Sequence, residues 1–143
     1  MKIREVMSTK VVRINPAETV AVAARTLEHY NIGALPVCGN DGHLCGMVTD
    51  RDLVTRCIAS GKNPANTPVR DVMTKQVYVA RPDMDASVAA SLMGREQVRR
   101  LPVMENGRLC GMISLGDLAQ KEETSIEAGD ALMDISSNLS ARD

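Results

Sequence analysis

Residues 44–53 read LCGMVTDRDL and residues 109–118 read LCGMISLGDL, so one stretch occurs twice in this chain. A Leu-Pro-Val triplet precedes each copy, at 35–37 and at 101–103. The correspondence continues upstream at a spacing of 66 residues, where Met7 matches Met73 and Pro16 matches Pro82. A duplicated unit of this kind is expected to pack on its copy about a pseudo-twofold axis, and any site that it builds is built twice.

Length and composition limit the classes of protein to consider. At 143 residues the chain fits one compact domain or two small halves that share a core. Its net charge of -1 and its lack of Trp and Phe disfavour nucleic-acid partners, which require a basic field or stacking side chains. Because no apolar stretch suits a membrane span or a signal peptide, we expect a cytoplasmic protein without a membrane partner.

Each copy predicts the element order β-α-β-β-α. In the first copy, a β-branched run at 11–14 predicts a strand, and apolar residues spaced three and four apart predict a helix over 19–30. Strands at 34–38 and 44–48 flank strong turn residues and form a hairpin. A second helix, capped by Thr49, runs to about Ser60.

The second copy predicts the same elements at 77–80, 87–93, 101–104, 109–113 and 117–121. The fold class is therefore α+β, a sandwich of two such repeats. We divide the chain into repeat 1 (1–61), a linker (62–68), repeat 2 (69–121) and a C-terminal extension (122–143). The extension predicts a short amphipathic helix with one apolar stripe, formed by Ala128, Leu132, Ile135 and Leu139.

The repeated stretch also carries the chemistry most typical of a ligand site. In each copy a glycine, a hydroxyl and an aspartate recur at one spacing, as Gly46, Thr49 and Asp52 and as Gly111, Ser114 and Asp117. A hydroxyl at a helix start suits phosphate, and an aspartate one turn later accepts hydrogen bonds from ribose hydroxyls. The alternative is a capping box that only begins the helix, although capping boxes prefer Glu or Gln at the third position. The sequence leaves both interpretations open.

The paired units resemble tandem CBS domains, also called Bateman modules, over about residues 1–121. The resemblance implies two units packed sheet to sheet, with clefts that bind AMP, ADP or ATP, or in some members S-adenosylmethionine. It implies no required cofactor, a homodimer, and a protein effector that is acted on in trans. Arg51 in the first copy is replaced by Gly116, while Arg99 and Arg100 replace Gly33 and Ala34, so the two sites are expected to differ in phosphate preference.

By this resemblance, Asp52 and Asp117 would hold ribose hydroxyls, and Thr49 and Ser114 would meet phosphate. The strand segments 12–16 and 78–82 would line the adenine pockets, and the main chain at 34–35 and at 100–101 would read the base edge. The candidate nucleotide-binding residues are Val12, Ile14, Pro16, Ala34, Leu35, Thr49, Arg51, Asp52, Tyr78, Ala80, Pro82, Arg99, Arg100, Leu101, Ser114 and Asp117.

We expect a non-catalytic sensor, because no nucleophile–base pair or phosphate-binding lysine motif is recognisable. Cys38, His43 and Cys45 lie around one hairpin, but their spacing matches no zinc pattern, and we predict no metal site. Two alternatives remain: a nucleotide-free interaction or stress-response scaffold, and a redox-responsive protein that uses Cys38 or Cys57.

Overall fold

The computed structural model describes residues 1–141, and the side chains of residues 1–137. It contains two compact units. The first unit is Val12–Val77, and the second unit combines Met1–Val11 with the chain from Tyr78 onward. The compact units and the sequence repeats are thus different divisions of the chain, since the first eleven residues fold with the second repeat.

The first unit begins its regular structure with helix α1, Val20–Tyr30. Thr19 caps the helix through its Oγ1, which accepts a hydrogen bond from the Val22 N–H at 3.2 Å. The helix ends at Asn31, which adopts the left-handed conformation with φ 53°, a conformation that asparagine tolerates. The helix predicted over 19–30 is confirmed, and its buried stripe packs on the strands that follow.

A hairpin of β1 (Ala34–Cys38) and β2 (Leu44–Thr49) follows, antiparallel as predicted. The chain then turns into α2 (Asp50–Asp52), which continues as a π-helical segment, Leu53–Ile58. The predicted second helix is therefore present, with most of its length wound as π-helix. All five residues of β1 are buried, so this strand is part of the hydrophobic core of the first unit.

The strands predicted at 11–14 and 77–80 are wrong as strands. Only Ile14 pairs, in a parallel bridge with Val37, and only Ala80 pairs, in a parallel bridge with Val103. The Ile14 N–H donates to the Pro36 carbonyl and its carbonyl accepts from the Cys38 N–H. The β-branched residues favour an extended backbone. A strand also needs a neighbouring strand to pair with along its length, and here each segment pairs at one residue.

The second unit repeats this plan from different residues. Helix α3 (Ala86–Glu96) precedes the antiparallel hairpin of β3 (Arg100–Glu105) and β4 (Arg108–Ser114). Helix α4 (Leu115–Ala119) starts two residues before its predicted position, because Ser114 caps it.

The first segment of each repeat packs on the hairpin of the other repeat. Thr74 bridges Met47 of β2, with hydrogen bonds of 3.0 and 2.8 Å in the two directions. Its sequence counterpart Ser8 bridges Met112 of β4 in the same way. Short 3-10 turns at Ile3–Glu5 and Val69–Asp71 lead into these bridges. The exchange explains why Met1–Val11 belongs to the second unit.

Helix α5 (Ser125–Ala141) confirms the predicted C-terminal helix and packs on α3 and α4. Its buried stripe differs from the predicted one. Ala128 and Ile135 are buried as expected, but Leu132 is 45% exposed and Ala131 is buried in its place. The helix is rotated because Gly94 of α3 leaves room for Ala131, whose Cα would lie 3.1 Å from any Cβ at residue 94. The side chain of Leu139 lies outside the described residues.

Candidate functional site

The glycine of each repeated stretch faces protein backbone. A Cβ on Gly46 would lie 2.5 Å from the Thr74 carbonyl oxygen, and a Cβ on Gly111 would lie 2.9 Å from the Ser8 carbonyl oxygen. Both distances are shorter than any ordinary carbon–oxygen contact, so no other residue fits here without displacing the neighbouring segment. The glycines therefore serve the close approach of the bridging segments.

Both hydroxyl–aspartate pairs form capping boxes. The Asp52 N–H donates to Thr49 Oγ1 at 3.1 Å, and the Thr49 N–H donates to Asp52 Oδ2 at 3.0 Å. Ser114 and Asp117 repeat this arrangement at 3.0 and 2.9 Å. Aspartate is shorter than the preferred glutamate, and it still reaches the cap N–H. The capping interpretation is therefore realised in both copies.

Capping leaves part of each pair available. One carboxylate oxygen is engaged by the cap N–H, and an ionised carboxylate can accept up to about four hydrogen bonds. Each cap hydroxyl accepts from an N–H and keeps its own proton for donation. The Asp52 side chain is 13% exposed, so its free oxygen is partly open to solvent. A cap and a ligand site are thus compatible at the same residues.

The two carboxylates differ in their charged neighbours. Arg56 Nε lies 3.7 Å from Asp52 Oδ1, one helical turn further along the chain. The sequence counterpart of Arg56 is Lys121, and within residues 1–137 no ion pair involves Asp117. The free oxygen of Asp52 is therefore shared with a guanidinium. Arg56 was missed at the sequence level, although its spacing of four from Asp52 is the usual signal for a helical ion pair.

The hairpin registers bring several predicted residues to the caps. Ala34 is paired with Thr49 across β1 and β2, and Arg100 is paired with Ser114 across β3 and β4. The first helical N–H after each cap donates to the residue before the strand: Asp50 to the Gly33 carbonyl and Leu115 to the Arg99 carbonyl. Each cap thus lies beside the start of the strand that contains the Leu-Pro-Val triplet.

Other predicted residues lie in the cores. The side chains of Ile14, Leu35, Ala80 and Leu101 are at most 5% exposed and pack in the two hydrophobic clusters. Val12 is half-buried against the first core. The Pro16 carbonyl accepts a hydrogen bond from the main-chain N–H of Arg70, and the Pro82 carbonyl accepts one from the main-chain N–H of Arg4. Only main-chain atoms of the four core residues remain for a ligand.

The exposed predicted residues are Arg51, Tyr78, Arg99 and Arg100. The pKa of Tyr78 is raised, because the Glu96 carboxylate accepts a hydrogen bond from the phenol and its charge disfavours ionisation. Tyr78 is 43% exposed, so its ring presents a free face. The arginines are free to move toward an anion.

Cys38 and Cys57 are both buried. Burial raises the pKa of the Cys38 thiol, and Cys57 is fully buried. Reactive cysteines are exposed and have a lowered pKa, so neither residue favours the redox alternative. In the part of the chain that the structure describes, no three His, Cys, Asp or Glu side chains cluster as metal ligands would.

Comparison with known proteins shows which family the two repeats belong to. A family profile for the CBS domain matches residues 3–58 and again 69–123. The chain belongs to the CBS-domain family. The CBS domain-containing protein YhcV of Bacillus subtilis (strain 168) is 38% identical over 134 residues, which cover 94% of each chain.

Solved structures of CBS proteins share the fold. Hypoxic Response Protein I, crystallised with two coordinated zinc ions, is 32% identical with a TM-score of 0.78, covering 84% of this chain and 98% of that one. The CBS domain pair of MJ0100, in complex with 5'-methylthioadenosine and S-adenosyl-L-methionine, has a TM-score of 0.76 at 22% identity, covering 84% and 94%. Stand-alone CBS proteins are generally regulatory and non-catalytic. Among the described residues, no helix is long and apolar enough to cross a membrane.

Proposed function

We propose that this chain is a regulatory module that binds an adenine nucleotide through the hydroxyl–aspartate pairs at the ends of β2 and β4. The observation that carries the proposal is the hydrogen bonding of the two aspartate carboxylates. Each cap holds its carboxylate rigidly through one oxygen while the other oxygen stays outside the cap. A fixed acceptor beside a donating hydroxyl suits the vicinal hydroxyls and the phosphate of a nucleotide.

The ligand class is AMP, ADP or ATP, with S-adenosylmethionine as a second class. The adenosine ligands bound by the CBS pair of MJ0100 support an adenosine moiety. The exposed side chains of Arg99 and Arg100 lie at the strand start beside the Ser114 cap and supply charge for phosphate. In the first unit the corresponding charge comes from Arg51.

Asp117 is expected to contribute more to binding than Asp52. The free oxygen of Asp52 is shared with Arg56 at 3.7 Å, so a ribose hydroxyl must compete with the guanidinium there. No such partner faces Asp117 among the described side chains.

Thermal unfolding with AMP, ADP, ATP and S-adenosylmethionine tests the proposal. A ligand at about 100 times its dissociation constant stabilises the folded state by about 2.7 kcal/mol. For a chain of this size the melting temperature then rises by several degrees, at about 2–4 °C per kcal/mol. If none of the four ligands changes the melting temperature, nucleotide sensing is contradicted.

Aspartate-to-asparagine variants separate binding from capping. In Asp117→Asn the amide oxygen can still accept from the Ser114 N–H, while the amide nitrogen cannot accept from ribose. We expect lost or weakened nucleotide binding with little change in stability, and a smaller loss of binding in Asp52→Asn. The control is Asp50→Asn, which changes a neighbouring exposed carboxylate outside the capping pair. Full binding in both site variants would leave the aspartates as caps only.

We further propose that the chain signals in trans through self-association on α5. Ile126 and Met133 are 75% and 67% exposed and lie seven residues apart, hence on one face of the helix. A hexameric CBS-CP12 protein shows that CBS proteins assemble. Sedimentation of the wild type and of an Ile126→Gln, Met133→Gln variant, each with and without nucleotide, tests this. The proposal fails if the wild type is monomeric in every state.

A further inference from the structure

A groove of about 670 Å³ lies within the first unit, and its lining includes neither residue of the capping box. It is lined by Arg56 of the π-helical segment that follows α2, by Lys62, and by residues between 70 and 76. Four of its eight lining residues are basic: Arg56, Lys62, Arg70 and Lys75.

Arg56 is held in this groove by main-chain contacts. Its Nη1 donates to the Val72 carbonyl at 3.3 Å and to the Met73 carbonyl at 3.1 Å. Its Nε lies 3.7 Å from the Asp52 carboxylate. A guanidinium has five N–H donors in a fixed plane, so Nη2 remains available to a ligand. Arg56 is therefore a preorganised donor, half exposed at the groove wall.

The remaining positive charge of the groove is not neutralised by the protein. Among the side chains of residues 1–137, Lys62, Arg70 and Lys75 take part in no ion pair. Asp71 is the single acidic residue of the lining. Like charges gathered in one concavity repel each other and raise the local concentration of anions. An anion with several charges would relieve this repulsion at more than one point.

The cation set is only partly repeated in the second unit. By the repeat spacing, Lys121, Arg4 and Lys10 correspond to Arg56, Arg70 and Gln76. Lys75 corresponds to Thr9, and Lys62 lies in the linker and has no counterpart.

We propose that this groove binds a small polyphosphate anion, with three linked phosphate groups as the recognised chemistry. Four cations line one groove, which suits an anion with several charges better than one orthophosphate. The lining contains no aromatic side chain to stack on a base. Thr74 and Gln76 add neutral donors. The groove shares no residue with the capping pairs, and it adjoins the first of them through the Arg56–Asp52 ion pair.

Calorimetric titration of the full chain with sodium tripolyphosphate at fixed ionic strength tests the proposal. Arg70→Gln and Lys75→Gln each remove one exposed cation, and each should weaken binding about tenfold. Arg4→Gln removes the equivalent arginine of the second unit and should leave the affinity within about twofold. Because these side chains are exposed, the melting temperatures of the three variants should match that of the wild type.

Titrations with ATP and with adenosine identify the source of the phosphate and distinguish this site from the adenosine site. If ATP supplies the triphosphate, Arg70→Gln should weaken the binding of ATP and leave the binding of adenosine unchanged. Asp117→Asn should weaken the binding of adenosine and leave the binding of tripolyphosphate unchanged. The proposal is overturned if tripolyphosphate does not bind at millimolar concentration, if Arg70→Gln and Lys75→Gln bind it as the wild type does, or if Asp117→Asn abolishes its binding.

Discussion

Replacement of Gly46 by alanine tests the role assigned to the glycine of the repeated stretch. The new Cβ would lie 2.5 Å from the Thr74 carbonyl oxygen and 3.0 Å from Met73 Sδ. The methionine can change rotamer, but the carbonyl is part of the main chain. Relief requires the segment that contains Thr74 to move away from β2.

The magnitude follows from this displacement. To reach an ordinary contact near 3.4 Å, the segment must move by about 0.9 Å, which lengthens the hydrogen bonds between Met47 and Thr74 from 3.0 and 2.8 Å to beyond hydrogen-bonding range. Each lost bond costs about 1 kcal/mol, and more where a group stays unsatisfied. Alanine regains about 0.5–1 kcal/mol of backbone entropy relative to glycine. We therefore expect Gly46→Ala to lower the free energy of unfolding by about 1–2 kcal/mol.

Two other alanine variants calibrate the result. Gly111→Ala meets the Ser8 carbonyl oxygen at 2.9 Å, which needs a smaller shift, so we expect a loss of about 1 kcal/mol. Gly129 lies within α5, and no heavy atom comes within 4 Å of the place that an alanine Cβ would take there. Gly129→Ala should therefore stabilise the protein by about 0.5–1 kcal/mol.

Urea and thermal unfolding of the three variants measure these differences. The expected order of stability is Gly129→Ala, wild type, Gly111→Ala, Gly46→Ala. The reasoning is refuted if Gly46→Ala is as stable as the wild type. If that variant keeps its stability and instead loses nucleotide binding, the glycine serves a ligand and the backbone explanation is wrong.

Three further predictions concern other contacts. Thr49→Ala removes the cap hydroxyl and should cost about 1 kcal/mol in chemical denaturation. Gly94→Ala places a Cβ 3.1 Å from the Ala131 Cα and should loosen α5, seen as faster hydrogen exchange in that helix while β1 and β2 are unaffected. Asp85 has a lowered pKa because Ser87 donates to its carboxylate through its hydroxyl and its main chain. The ionised form therefore stabilises the fold above the unfolded pKa near 4, and this stability is lost as the pH falls through the lower folded pKa. The stability difference between wild type and Asp85→Ala should shrink over that acidic range and stay constant between pH 6 and 8.

Local chemistry made much of the fold predictable. The hairpins were visible because turn residues separate two apolar runs. Helix α1 was visible from the spacing of its apolar residues, and the start of α2 was visible because Thr49 precedes it. These are interactions between residues a few positions apart. The site residues Thr49 and Asp52 were found for the same reason, since a cap and its carboxylate lie three residues apart.

Non-local pairing was not predictable. The run at 11–14 has strand composition, yet only Ile14 pairs, since β-propensity does not say where a partner strand ends. The stripe on α5 was misplaced because Gly94, far away in sequence, accommodates Ala131. The groove around Arg56 also joins residues from two segments, so no sequence window contains its charge cluster.

The repeat by itself determined that this chain carries two units with a shared helix–hairpin–helix plan, each with a hydroxyl and an aspartate at a helix start. The tertiary structure decided what surrounds them. The sequence allowed the glycine to make room for a ligand or for another backbone. Only the folded chain shows that Thr74 and Ser8 occupy that space, because contact between segments that are distant along the chain depends on packing and not on local propensity.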